Sequence, residues 1–309
     1  MSGARILAVC GLAAGVALGT LTDTTPARER ITVDGYQVLS GDFHVHAFVG
    51  DGGIAPWMLQ RHAARVGLDV IAITNHNQTL AGRLGRWAAQ PTSGPLMLVG
   101  EEVTGRDFHL IAVGIEQPVN WDQPARDAVA DVHAQGGVAI AAHPLYGFAE
   151  GYDAIALAEL DGLEAAHPDS IASTIAPQFE EFYQRVLIRN PDVAAIGSSD
   201  FHTSGPMGLC RTYLLVRERS EAGVVDAIRD GRTVGRCESS RLRGRPELVR
   251  LLEPHRDALA PPDETVAQRL ALVLVWLSLL ALAILGTRDV PLAPKSKGKG
   301  QMAKARSNV

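Results

Sequence analysis

The chain has 309 residues, 46% of them apolar and 20% charged, which provides for one large domain or two small ones with a sizeable core. A net charge of -5 excludes the basic footprint of a nucleic-acid-binding protein. The charge is uneven: beyond Gly286, six basic residues between Arg288 and Arg306 face one acidic residue, Asp289, and a basic tail abutting an apolar run is a membrane signature.

Arg5 precedes the uncharged stretch Ile6 to Thr22, ILAVCGLAAGVALGTLT. Residues 1–22 therefore read as a secretory signal with small residues at Ala17-Leu18-Gly19 for cleavage, or as an uncleaved anchor. Cys10 belongs to that run and is not read as a lipidation site. Residues 36–240 alternate short apolar runs with helical patterns. Strands are predicted at 38–45, 70–74, 96–99, 109–115, 138–142, 162–165, 194–198 and 212–216, and helices at 56–66, 80–89, 124–135, 175–189 and 221–230. Pro56 opens its helix where proline is tolerated, and Gly67 and Gly136-Gly137 close theirs. Repeated strand–helix units imply a parallel sheet, and about seven units in roughly 210 residues favour a closed barrel.

Residues 241–268 are charged, arginine-rich and punctuated by proline, and read as a juxtamembrane spacer. Leu270 to Gly286 is an apolar run of 17 residues between Arg269 and Arg288, at the lower limit of about 17 for a membrane span. With the basic tail 288–309 behind it, the segment 269–287 reads as a transmembrane helix in preference to a buried core helix. The positive-inside rule puts the tail in the cytoplasm, and a secretory start puts the middle domain outside. In an oxidising compartment Cys210 and Cys237 could pair, and two unrelated buried thiols fit the sequence equally well.

In parallel barrels the chemistry gathers at the C-terminal ends of the strands. The first predicted strand ends in Asp42, His44 and His46, followed by Asp51 in a glycine-flanked loop. Residues i and i+2 of a strand share a face, so the two imidazoles sit side by side. The next strands bring Asn75-His76-Asn77, Glu101-Glu102, His109, His143-Pro144, Glu164 with His167, and Asp200 with His202. A single histidine after an apolar run is weak evidence, but their joint placement at one end of successive strands is not scatter. Imidazole and carboxylate are the ligands that zinc, manganese and iron accept. His62, His133 and His255 fall outside this pattern and read as solvated or packing residues.

D-x-H-x-H with a following G-D-G, then A-I-T-x-H, G-x-E, a histidine opening the next strand, A-A-H-P and S-D-x-H together resemble the PHP (polymerase and histidinol phosphatase) family. The resemblance covers roughly Gly41 to Cys237, and "TNHN" and "GSSDFH" are similar to the branch named for a carbaryl hydrolase. It implies an α/β fold, a distorted (β/α)7 barrel, with two or three divalent metal ions (Zn, Mn or Fe). Carried over by position, His44, His46, Glu102 and Asp200 would hold the first metal, and Glu102 would bridge to a second held by His109 and His143. Asp51, His76 and His202 would hold a third. Of Glu101 and Glu102, which face opposite ways in an extended chain, the G-x-E spacing selects Glu102. Many family members have Asp where this chain has Asn75, which weakens the expectation of a third metal.

The resemblance implies a metal-activated water as nucleophile, with Asp200, His202 and Glu102 as the catalytic residues. Ser198 and Ser199 lack a nucleophile elbow and Cys210 has no histidine nearby in sequence, so no covalent route is expected. The leading expectation is a membrane-anchored, extracytoplasmic phosphoesterase acting on a phosphorylated small-molecule ester, with Arg106 and Arg211 as candidate phosphate-binding residues. Hydrolysis of a carboxylic or carbamic ester or amide on the same site is the alternative. A non-catalytic metal-binding ectodomain is a third reading, disfavoured because all nine ligand positions are filled.

Overall fold

The computed structural model describes residues 3–22, 30–90, 94–145, 147–171, 176–203, 205–237, 241–262 and 265–287. In chain order the elements are α1 (Gly3–Leu21), β1 (Thr32–Val33), β2 (Tyr36–Val45), α2 (Pro56–Arg65), β3 (Val70–Ile73), α3 (Leu80–Ala88), β4 (Leu96–Thr104) and β5 (His109–Val113). There follow α4 (Ala125–Ala134), β6 (Val138–Ala141), α5 (Ala154–Glu159), β7 (Gly162–Ala166), α6 (Ala176–Arg189), β8 (Ala194–Gly197) and β9 (Cys210–Val216). The chain ends with α7 (Glu221–Arg229), β10 (Thr233–Cys237), β11 (Arg243–Gly244), α8 (Pro246–Leu252) and α9 (Val266–Thr287). Two compact units result, one from Thr25 to Pro262 and one from the two termini.

In the larger unit one sheet runs in the order β11-β10-β9-β2-β3-β4-β5-β6-β7-β8, with β1 paired to β2. Strands β3, β6 and β8 (VIAI, VAIA, AAIG) are buried along their whole length, as strands covered on both faces are. The pairs β2–β3, β3–β4, β6–β7 and β7–β8 are parallel, as the strand–helix alternation predicts. β5 departs from it, pairing antiparallel with both β4 and β6. The connection from Gly105 to Phe108 is too short for a crossover, so β4 and β5 must form a hairpin. Local signals support the helices: Pro56 starts α2, Asp153 accepts from the Ile155 and Ala156 amides at the head of α5, and Ser220 caps α7.

The sheet nearly closes on itself through two sets of contacts. Thr212 Oγ1 on β9 accepts from Gly197 N (2.9 Å) and donates to Gly197 O (2.8 Å) at the end of β8. A β-carbon at 197 would lie 2.2 Å from the Arg211 carbonyl, so the crossing requires glycine. Nearer the strand ends, His46 N donates to Phe201 O (2.8 Å) and Phe201 N to His44 O (3.1 Å). The closure thus joins the first strand to the loop after β8, which carries Asp200 and His202. Cys210 and Cys237, directly opposite in the β9–β10 ladder, form a disulfide.

The charged character of 241–268 predicts a spacer, but residues 241–262 fold onto the barrel. β11 pairs with β10, and Leu242, Leu248, Leu252 and Leu259 are buried beside Ile31, Val33, Val38 and Tyr213. Charged residues lie between these leucines, of which Leu248 and Leu252 share one face of α8, and composition alone hides their burial. The smaller unit is an antiparallel pair of apolar helices, α1 and α9, each long and apolar enough to cross a membrane. Arg5 donates to Leu285 O (2.7 Å), and Gln268 donates to Thr22 O (3.1 Å). A β-carbon on Gly15 would lie 3.2 Å from Ala271 O, so the two backbones approach closely there. The basic tail 288–309 lies outside the described residues.

If residues 241–262 are structural, Leu252→Ala should lower unfolding stability by about 2–5 kcal/mol, the cost of truncating a fully buried leucine. Denaturant titration of the full chain in detergent measures it; a change within experimental error would restore the spacer reading.

Candidate metal centre

The closure of the barrel brings the ends of β2, β3, β4, β5, β6 and β8 together. His44 and His46 are fully buried, and the segment that carries them is held on both sides. Val45 N donates to Thr74 Oγ1 (3.1 Å) at the end of β3, and Thr74 N donates to Val45 O (2.9 Å). The loop beyond is fastened by Asn75, whose Oδ1 accepts from Ala47 N (2.9 Å) while its Nδ2 donates to Ala47 O (2.8 Å). Only an amide can do both, since an aspartate has no donor. This accounts for Asn75 where a carboxylate was the family expectation. Gly50 and Gly52 let the loop close over this clip: a β-carbon would meet Asn75 Nδ2 at 1.9 Å in the first and the His46 carbonyl at 2.3 Å in the second. Asp51 between them is thereby brought to His46.

Each ring of the pair has one nitrogen committed. His44 Nδ1 lies 2.8 Å from Glu164 Oε1, and His46 Nδ1 lies 3.0 Å from Asp51 Oδ1. A carboxylate at Nδ1 accepts the hydrogen bond from its N–H and so leaves Nε2 as the electron-pair donor. The two Nε2 atoms are 3.1 Å apart, close to the roughly 3.3 Å of two nitrogens sharing one tetrahedral zinc with bonds of about 2.0–2.1 Å.

Glu102 is the hub of the cluster. It is 1% exposed. Its Oε1 faces His109 Nδ1 (2.6 Å) and His143 Nε2 (3.1 Å), and its Oε2 faces His76 Nδ1 (2.9 Å), His44 Nε2 (3.3 Å) and His46 Nε2 (3.4 Å). Asp200 Oδ1 lies 3.1 Å from His44 Nε2 and 3.4 Å from His46 Nε2. Asp51 Oδ2 lies 2.9 Å from His202 Nε2 and 3.2 Å from His76 Nε2. Four groups of potential ligand atoms result, each within 4.8 Å: His44, His46 and Glu102; His44, His143 and Asp200; Glu102, His109 and His143; and His46, Asp51, His76 and His202. All nine side chains expected as ligands fall in these groups.

The donor set fits divalent ions on one further observation. Glu102 Oε2 and Asp200 Oδ1 are buried with no hydrogen-bond partner among the described residues, although both lie against imidazole nitrogens. Buried carboxylate oxygens are costly to leave unpaired, and a shared cation would satisfy both. Burial opposes charge at His44, yet Asp200, Glu164 and Glu102 hold it well above the ordinary histidine value. Burial likewise opposes charge at His46, but the adjoining Asp200 and Glu102 carboxylates raise it to about 9. Burial would raise Glu102 and Asp200, but His44 and the other rings hold both carboxyls below the usual range. The cluster therefore attracts positive charge strongly, protons or metal alike. Non-glycine residues with left-handed backbone also collect here: Val49, Asn77 and Asp200 have φ of 83°, 50° and 49°, which signals conformations imposed by the surroundings.

Glu101 points away from the cluster. Its Oε1 accepts from Val119 N (2.6 Å), and burial raises its carboxyl to about 7, in keeping with a structural role. Arg211 does not reach toward the cluster in its bonding: the buried guanidinium donates to the carbonyls of Gly208 (2.9 Å) and Val66 (3.3 Å). These bonds tie the end of α2 to the loop before β9. Arg106 is 87% exposed on the β4–β5 loop, 3.8 Å from Asp122. Three contributors carried no role in the sequence reading. Glu164 is fully buried, bonds His44 Nδ1 and His143 N (2.5 Å), and accepts from Ser198 Oγ. Asp42 accepts from Ser199 and from the Gly208 and His44 amides, tying β2 to the loop after β8. Phe148 stacks on His109 with ring centroids 3.9 Å apart. Of these, Glu164 and Asp42 had a signal, their positions at strand ends in "GLEAAHPD" and "GDFHVH".

A family model described as PHP-associated matches residues 186–233, from the end of α6 through the Asp200–His202 loop to the start of β10. An uncharacterized protein of Methanocaldococcus jannaschii, MJ1587, is 26% identical over 153 residues, spanning 45% of this chain and 89% of its own. A Bacteroides vulgatus two-domain protein, described as containing a predicted PHP-like metal-dependent phosphoesterase, superimposes with a TM-score of 0.58 at 23% identity. It covers 75% of this chain and 74% of its own, and the likeness establishes a shared fold.

Glu164→Gln should keep the shape of this carboxylate while losing the charge that fixes His44. Affinity for the metal retained on purification should fall about 10–100-fold, the usual cost of losing a carboxylate behind a metal-binding histidine. Chelator competition measures it, and an unchanged affinity would show that Glu164 does not set the His44 ring.

Proposed function

We propose that the barrel is a PHP-type metal-dependent hydrolase that cleaves phosphate esters, anchored to a membrane with the barrel outside the cytoplasm. The observation that carries the reading is Glu102, whose two oxygens face separate sets of histidines while one of them has no hydrogen-bond partner among the described residues. The description of the Bacteroides relative as a PHP-like phosphoesterase supports it.

His44, His46, Glu102 and Asp200 would hold a first ion, Glu102, His109 and His143 a second, and Asp51, His76 and His202, with His46 alongside, a third. When bound, such ions supply a water acidic enough to attack near neutral pH and positive charge against the oxygens of the reacting group. The chain's own residues set direction. His44, His46 and Glu102 form a buried floor, whereas Asp51, His76 and His202, with side chains 42%, 39% and 31% exposed, form an open rim. Substrate therefore approaches from the rim. His202 Nδ1 donates to Asp200 O (3.0 Å), which leaves its Nε2 directed at the rim beside Asp51. Asp200 lies between floor and rim and is held ionised by its histidine neighbours, so it can orient the attacking water. Exposed Arg106 is the remaining candidate to meet a phosphate.

A second reading, hydrolysis of a carboxylic or carbamic ester or amide, gains from two contacts. Arg211 is committed to backbone carbonyls, and Phe148 lays an apolar ring on His109. Membrane attachment is supported by α1 and α9, and the extracytoplasmic position by the Cys210–Cys237 disulfide, since such bonds persist in oxidising compartments. The antiparallel pairing of α1 with α9 puts Arg5 beside Leu285 near the C-terminal end of α9, in keeping with the positive-inside rule.

The full chain in detergent should retain zinc, manganese or iron and turn over 4-nitrophenyl phosphate or bis(4-nitrophenyl) phosphate faster than 4-nitrophenyl acetate. The opposite preference supports the second reading, and metal without turnover supports a binding ectodomain. Asp200→Ala should lower the rate on the order of 10³-fold with little loss of melting temperature; an unchanged rate removes Asp200 from the site. Added protease should cut the barrel on spheroplasts but spare the tail, and a shielded barrel would contradict the topology.

A further inference from the structure

His167 follows β7 and is 3% exposed, with no role in the ligand set described above. Its ring is held firmly. Phe179 stacks on it with centroids 5.9 Å apart, and Ser170 Oγ bonds both its backbone amide and its carbonyl. Asp169 N donates to His167 Nδ1 (3.2 Å). The Asp169 carboxylate is 3.8 Å from the same nitrogen, beyond hydrogen-bond reach. A nitrogen that accepts from a backbone amide carries no proton, so the neutral ring must carry its proton on Nε2. That N–H is buried with no hydrogen-bond partner among the described residues. Leaving a buried donor unpaired costs about 1–3 kcal/mol, so such a group calls for an explanation.

The acceptor it faces is Asp200 Oδ2, 3.9 Å away, while Asp200 Oδ1 faces His44 and His46. Asp200 sits in left-handed backbone and has 28% of its side chain exposed, so its carboxylate needs a partner to choose which oxygen it presents. We propose that His167 is the positioning residue for Asp200: its Nε2–H donates to Oδ2 and so presents Oδ1 to the point shared by the His44 and His46 Nε2 atoms. A ligating carboxylate is commonly held in this way by a donor at its far oxygen. The gap of 3.9 Å closes with a small rotation of the Asp200 side chain, as contacts of this kind do when a site is filled. The inference rests on the reading of Asp200 as a metal ligand.

The test uses the full chain in detergent and the metal, zinc or manganese, that the wild type retains. Affinity is measured by chelator competition and turnover with 4-nitrophenyl phosphate. His167→Leu removes the donor and should weaken metal binding about 10–100-fold. His167→Gln places an amide N–H near the former Nε2 and should recover most of that loss. In an Asp200→Ala background, His167→Leu should have no further effect, because both carboxylate oxygens are gone. Equal losses for Leu and Gln, or a full additional loss in the Asp200→Ala background, would overturn the inference and leave His167 a packing residue. A wild type that retains no metal would overturn the metal-centre reading and this inference with it. A wild type that binds metal with His167→Leu unchanged overturns only the latter.

Discussion

A carboxylate buried among imidazoles is the constraint around which this barrel is organised. Glu102 is nearly free of solvent, and its oxygens lie within 2.6 to 3.4 Å of nitrogens from five histidines. Such an arrangement is tolerable only if every strand end that supplies a ring is held in place. The β4–β5 hairpin sets His109 beside Glu102, Thr74 fastens β3 to β2, and the Phe201 contacts fasten β2 to the loop after β8. Buried Tyr152 adds a hydroxyl bond to the His109 carbonyl. The near-closure of the sheet is therefore also what assembles the charge cluster.

Charge and burial explain why the groups around Glu102 act together. His44, His46, His76, His109 and His143 each lie within 3.4 Å of a Glu102 oxygen, so charge at one of these groups is felt at the others. Glu164 is the clearest case: burial alone would raise it, but His44 holds it down at about 2. Its negative charge fixes the His44 ring, and that ring helps keep Asp200 ionised. The chain from Ser198 through Glu164 to His44 and Asp200 links β7 and β8 to β2 by hydrogen bonds and charge.

Much of the candidate site is legible in the sequence because His, Asp and Glu are typical metal ligands and barrel sites lie at strand ends. H-x-H needs only the two-residue repeat of a strand, and G-x-E distinguishes Glu102 from Glu101 by the same alternation. What escaped the sequence depends on partners distant along the chain. Nothing local shows that Arg211 would be used up by the carbonyls of Gly208 and Val66, or that Asn75 would grip Ala47. The antiparallel placement of β5 follows from the brevity of its connection, which was visible but outweighed by the strand–helix rhythm. Residues 241–262 were hidden by their charges, since arginines between buried leucines read as a solvated linker until the barrel face they cover is known. The Cys210–Cys237 bond needed the β9–β10 register, which two positions 27 residues apart do not reveal.

Asn75 has one more consequence. The loop that carries Asp51 is held by an amide paired with a peptide group and by the close seating of Gly50 and Gly52. None of these contacts gains or loses a proton. The frame around the histidines is thus indifferent to acidity, while the rings inside it are not. Acid would empty the cluster of cations by charging its rings without loosening the loop, so the site can refill on neutralisation with no refolding of that segment.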